Sequence, residues 1–133
     1  MAMLDQLMAL PGVLAAFEFH GNGKLLIHQS ANERLLNTDT MKLLAHMCAA
    51  NINIAAMQAR GWDANPETRG FFPVQTFTLI GLEWSVIVSG TAGETDADDL
   101  ADENTPFVAV VLSNEEGDHG VVFKTMEHQG KSQ

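Results

Sequence analysis

Residues 40–60, TMKLLAHMCAANINIAAMQAR, form the longest stretch of helical periodicity in the chain, and they carry two apolar stripes. Met41, Leu44, Ala45, Cys48, Ile52, Ala55 and Ala59 make one stripe. Leu43, Met47, Ala50, Ile54 and Met57 make the other, on a different side, and Lys42, His46, Asn53 and Arg60 fill a narrow polar strip between them. A helix lying on one neighbour needs a single apolar stripe, so two stripes require cover on two sides. A sheet supplies one cover. The other candidate helices of the chain are short, which makes a second copy of the protein the more economical second cover. Thr38 or Asp39 is expected to cap this helix, Gly61 to close it, and Ser30-x-x-Glu33 has the form of a capping box just before it.

The remaining elements follow from turn signals. MLDQLMALPGVLAAFEF near the start reads as helix, turn and strand. Met3, Leu4, Leu7, Met8 and Leu10 fall at helical spacing, Pro11-Gly12 stops the helix, and Val13, Ala15, Phe17 and Phe19 alternate as in a strand with one buried face. An export signal would open with basic residues, yet the first basic side chain is Lys24, and neither half of the segment reaches the ~20 apolar residues of a membrane-spanning helix. His20-Gly21-Asn22-Gly23 is a hairpin turn leading into a strand over residues 24–28. Strands are expected over residues 73–80, 84–89 and 106–113, the last (PFVAVVLS) the most apolar and therefore central. Residues 61–72 form a loop in which Trp62, Phe71 and Phe72 need packing partners. Residues 121–126 suit either a short helix or a sixth strand, and 127–133 a disordered tail.

The order is thus α-β-β-α-β-β-β-(α). It predicts an α/β domain of the α+β type over residues 1–126: a five-stranded antiparallel sheet with the long helix on one face and short terminal helices on the other. The 133 residues carry a formal charge of −10, and AGETDADDLADEN at 92–104 concentrates six acids and no base in a loop insertion. Nucleic acid is an unsuitable partner, since phosphate contact needs clustered Lys and Arg. Direct membrane insertion is not expected. One cysteine, Cys48, allows no internal disulfide, which with the absent export signal suits the cytoplasm.

This order and these residues resemble the roadblock / dynein light chain superfamily, and more closely a small bacterial branch of it without an assigned function. The likeness rests on MLDQLMALPGVLAAFEF followed by GNGKLL, on MCAANINIAAMQARGW in the long helix, and on PVQTF and WSVIVSG. It covers residues 3–91 and, less closely, 105–126. The acidic run departs from the pattern, where the hairpin is usually short. The resemblance implies a roadblock/profilin-like fold and a homodimer in which the third strands pair at the sheet edge and the long helices pack together. The implied contacts are Val74, Gln75, Thr76, Phe77, Thr78 and Leu79 on the strand, and Leu43, Met47, Ala50, Ile54 and Met57 on the helix. That assigns the Cys48 stripe to the sheet; the reverse suits the periodicity nearly as well. It also implies a non-catalytic regulator or scaffold binding a protein partner, for instance a small Ras-like GTPase.

The residues give no independent reason to expect catalysis or a cofactor. There is no GxxxxGK[ST], GxSxG or HExxH; Gly21-x-Gly23 is a turn, and no two of the five histidines share an i, i+4 face, so no metal site is expected. His46 reads as a solvent-facing or interface histidine, and Cys48, within an apolar stripe, as a core residue. The acidic run lacks the spacing of a calcium loop and reads as a solvated loop; steering of a basic partner stays open. The alternative function is a small-molecule sensor with a pocket between sheet and helix, which the methionines and Trp62 and Trp84 would line, although packing explains them as well.

Overall fold

The computed structural model describes residues 2–92 and 106–131. Apart from Ala92, the acidic run expected at 92–104 lies outside the described residues. The elements are α1 (Ala2–Met8), β1 (Val13–His20), β2 (Leu25–Ser30), α2 (Thr38–Asp63), a short 3₁₀ turn (Pro66–Thr68), β3 (Val74–Ile80), β4 (Trp84–Ala92), β5 (Pro106–Ser113) and α3 (His119–Lys131). The five strands form one antiparallel sheet in the order β2-β1-β5-β4-β3. Apolar β5 holds the centre, as its composition requires.

The sheet separates two cores. Ala15, Phe17, Phe19, Val88, Phe107, Ala109 and Val111 meet Met41, Ala45, Cys48, Ala49, Ile52 and Ala56 of α2. Small residues on that helix face let it lie close to the rings of Phe17, Phe19 and Phe107, where Phe17 and Phe19 have centroids 5.8 Å apart and Phe19 and Phe107 5.5 Å. On the opposite face, Val13, Ala16, Ile87, Val110 and Leu112 pack against Leu4 and Leu7 of α1 and Val122 and Met126 of α3. β1 therefore buries both faces, as the expected helical layers require, with Ala15, Phe17 and Phe19 under α2 and Ala16 under the terminal helices; Val13, expected in line with Ala15, falls on the terminal-helix side because the register shifts between the two.

Two glycines fix the chain at close approaches. Gly12, at φ +79°, ends the Pro11-Gly12 turn so near Gly117 that a Cβ would lie 2.4 Å from its backbone nitrogen. Gly23, at φ +95°, closes the β1–β2 turn under the ring of His46. Its N–H donates to the His20 carbonyl at 2.8 Å, and Lys24 belongs to this turn rather than to β2.

The ends of α2 differ from expectation. The cap is Asn37, whose side-chain oxygen accepts from the Thr40 N–H at 2.9 Å, in place of Thr38 or Asp39. Ser30 and Glu33 form no capping box; the Ser30 hydroxyl accepts from Asn32 N–H within a turn. Gly61 does not end the helix, which runs through it to Asp63. The stop comes from Asn65-Pro66: a residue before proline is driven out of the helical region, and Asn65 is extended at φ −95°, ψ 121°. Residues 121–126 are helical within α3, and the helix continues to Lys131 across much of the span expected to be a disordered tail. Asp118 starts it, with Oδ1 accepting from Val121 N–H at 3.2 Å, and Val122 and Met126 then fall one turn apart on the buried face. Among the described residues no helix is long and apolar enough to cross a membrane.

Candidate docking surface

The two stripes of α2 have opposite fates. The stripe containing Met41, Ala45, Cys48, Ile52 and Ala59 is buried on the sheet. Burial pushes the Cys48 thiol up to about 12, since a thiolate there would lose its water. The other stripe stays on the surface: Leu43, Met47, Ile54 and Met57 are 48–62 % exposed and Ala50 is exposed between them. At roughly 100° per residue the two stripes centre on opposite sides of the helix. Among the described residues nothing packs on this outer stripe, and solitary exposed apolar residues are ordinary whereas four in line are not. His46 is exposed beside it, against Gly23, and Asn53 of the polar strip donates to the Gly21 carbonyl at 3.1 Å.

β3 is an open edge of the sheet, paired only with β4. VQTFTLI contains no charge, proline or glycine, the devices that normally keep an edge strand from pairing with another chain. Val74, Thr76 and Phe77 are half-buried, with Val74 and Phe77 against the α2-side core; Gln75, Thr78 and Leu79 are exposed. All the expected strand-edge residues therefore lie on a pairing-competent edge. The expected helix residues lie on the same side of the sheet as α2 but face away from it.

Between β3 and the end of α2 runs an open groove of about 600 Å³, lined by Ala55, Ala59 and Trp62 on the helix and Gly70, Phe71, Phe72 and Val74 on the chain leading into β3. Its walls are held by one carboxylate: Asp63 Oδ1 accepts from the N–H groups of Gly70 at 2.9 Å and Phe71 at 3.0 Å. Arg60 lies over the Phe72 ring, 4.9 Å from its centroid, while Trp62 and Phe71 pair at 5.5 Å and remain more than half exposed. The aromatic loop thus packs on itself at the surface. At the other end of β3, Leu35, Leu44, Leu79, Trp84 and Val86 line a smaller apolar recess of about 300 Å³ between sheet and helix. Trp62 and Trp84 therefore both line surface hollows, where packing alone explained them equally well in the sequence.

The turn over residues 81–83 projects Leu82, 97 % exposed. It is rigidly held: Asn114 N–H donates to the Glu83 carbonyl at 2.9 Å, Asn114 Nδ2 to the Gly81 carbonyl at 2.8 Å, and the Ser85 hydroxyl to Asn114 Oδ1. Sequence reasoning missed Leu82, Asp63 and Asn114. Only the unpaired Leu in a Gly-Leu-Glu turn signalled the first. Among the described residues no three His, Cys, Asp or Glu side chains converge to hold a metal ion.

Taken with the sheet order, these elements define a roadblock-like α/β fold, and solved structures share it. A Roadblock/LC7 domain from Streptomyces avermitilis superposes with a TM-score of 0.65 over 98 % of this chain and 91 % of that one, at 15 % identity. The gliding protein MglB from Thermus thermophilus gives 0.68 over 96 % and 79 %, at 14 % identity. A structure of MglB with tetrameric arrangement gives 0.68 over the same shares, at 16 % identity. The chain belongs to the family described as uncharacterized conserved protein (DUF2173), which it matches over residues 3–102. No curated protein matches it in sequence.

Proposed function

We propose that the protein is a non-catalytic homodimeric regulator or scaffold that docks a protein partner, a small Ras-like GTPase being the partner class to test first. The observation that carries this is the outer stripe of α2, where Leu43, Met47, Ile54 and Met57 stand in solvent in a fold whose β3 edge is uncharged. Pairing of β3 with its copy satisfies the edge and brings the two α2 helices alongside. Ala50 permits close helix approach. The resemblance to roadblock proteins supports both the dimer and the regulatory role, and an MglB of the same fold has a tetrameric arrangement. Affinity purification from host extract, with a GTP analogue or GDP added in parallel, tests the partner. Enrichment of a GTPase in one nucleotide state supports the regulator. Enrichment of another complex regardless of nucleotide keeps the scaffold and discards the GTPase.

A second role as a small-molecule sensor is favoured by one feature, the apolar recess of about 300 Å³ bounded by Leu44, Trp84, Val86 and Val111 between sheet and helix. A thermal shift from a metabolite panel, abolished by Val86→Trp, is its test.

A further inference from the structure

The edge strand β3 has a knob at one end and a hollow at the other. Leu82 projects from the turn after Ile80, and the groove of about 600 Å³ opens beside the residues that precede Val74. Both are preorganised by polar clamps, Asn114 on the turn and Asp63 on the groove wall. A knob and a hollow on the same surface are self-complementary under a two-fold axis. Antiparallel pairing of Val74–Ile80 with its own copy about an axis at Phe77 sets residue 82 of one chain across from residue 72 of the other. Moving that axis to Thr76 or Thr78 sets residue 82 across from residue 70 or 74. All three positions line the groove, so the match does not depend on the register chosen.

Charge agrees with shape. Glu83 follows Leu82, and exposed Arg69, one of only seven basic residues in a chain of net charge −10, precedes the groove residues Gly70 and Phe71. The axis at Thr76 sets residue 83 directly across from residue 69, whereas the axes at Phe77 and Thr78 set it across from residues 71 and 73, so charge selects the Thr76 register from the three that shape allows.

We propose that the two copies interlock about an axis at Thr76: Leu82 of each seats in the groove between α2 and β3 of the other, beside Gly70, with Glu83 facing Arg69 across the seam. The proposal rests on the dimer proposed above and goes further in fixing which surfaces close it. A preorganised apolar anchor entering a hollow is the kind of contact that dominates an interface, and paired charges at its rim set register.

Sedimentation equilibrium on the full chain tests this. Leu82→Asp is expected to weaken the dimer by about tenfold or more. Arg69→Glu and Glu83→Arg are each expected to weaken it about threefold, and the double reversal to restore it. All three side chains are exposed, so the variants keep the fold, which circular dichroism verifies. A wild-type dimer that none of these substitutions weakens overturns the interlock while leaving the dimer in place. A wild-type protein that stays monomeric overturns both.

Discussion

Asp63 Oδ1 accepts a hydrogen bond from the Phe71 N–H at 3.0 Å, tying the last residue of α2 to the loop that enters β3. A carboxylate at a helix C-terminus faces the negative end of the helix dipole, an unfavourable place. Its position is explained by the loop amides it satisfies, which also hold Phe71 against Trp62 on the groove wall.

Asp63→Ala is therefore expected to cost about 1–3 kcal/mol in urea unfolding, because the amides of Gly70 and Phe71 lose a charged acceptor. Asp63→Asn retains an acceptor oxygen and is expected to cost less. A loss below about 0.5 kcal/mol in Asp63→Ala would show that the clamp contributes little. Under the interlock, Asp63→Ala also weakens the dimer.

Gly23→Ala combines a left-handed backbone, at φ +95°, with a Cβ placed 2.4 Å from Nδ1 of His46. A loss of about 1–3 kcal/mol is expected. Adding His46→Ala removes the collision and leaves the backbone strain, so the double variant is expected to recover part of the loss in thermal denaturation. No recovery would mean that the His46 ring moves aside without cost.

Cys48 is expected to resist thiol reagents in the native protein and to react quickly in urea, because burial holds the thiol neutral. The same burial sets a pH dependence. The folded thiol keeps its proton up to about 12, whereas the unfolded one releases it near 9, so unfolding liberates a proton in that window. Stability from this group is intact below about pH 9 and falls as pH rises toward 12, by at most about 1.4 kcal/mol per pH unit. Cys48→Ala is expected to flatten that fall.

Much of the architecture was legible because it depends on neighbours in sequence. Pro11-Gly12 and Gly21-x-Gly23 punctuate β1 and β2, PFVAVVLS marks the central strand, and both stripes of α2 are present in the period. What the period left open was which stripe meets the sheet. The sheet-facing stripe is the one richer in alanine: Ala45, Ala49 and Ala56 lie between the larger Met41 and Ile52 and bring the helix close to Phe17, Phe19 and Phe107, whereas the outer stripe has Ala50 alone among Leu43, Met47, Ile54 and Met57. The groove and the knob were illegible for a different reason. Asp63 reaches seven and eight residues ahead, and Asn114 grips a turn more than thirty residues behind it, so neither clamp leaves a local pattern. Gly61 misled because an exposed glycine with nothing near its Cβ can ride within a helix, and Pro66 beyond it proved the stronger signal.

Met47→Asp and Ile54→Asp place a charge on the outer stripe without touching the core. Each is expected to weaken self-association about tenfold or more while leaving the unfolding free energy of the separated chain within about 0.5 kcal/mol of wild type. A stripe that tolerates both charges with the dimer intact would belong to the docked partner instead of the second copy.

The most direct measurement is the mass of the wild-type protein in solution by sedimentation equilibrium over a micromolar concentration series. A dimer, twice 14.4 kDa, that survives dilution is the expected result. A species of 14.4 kDa throughout the series would contradict it, leaving the β3 edge and the outer stripe of α2 without the second copy proposed to cover them.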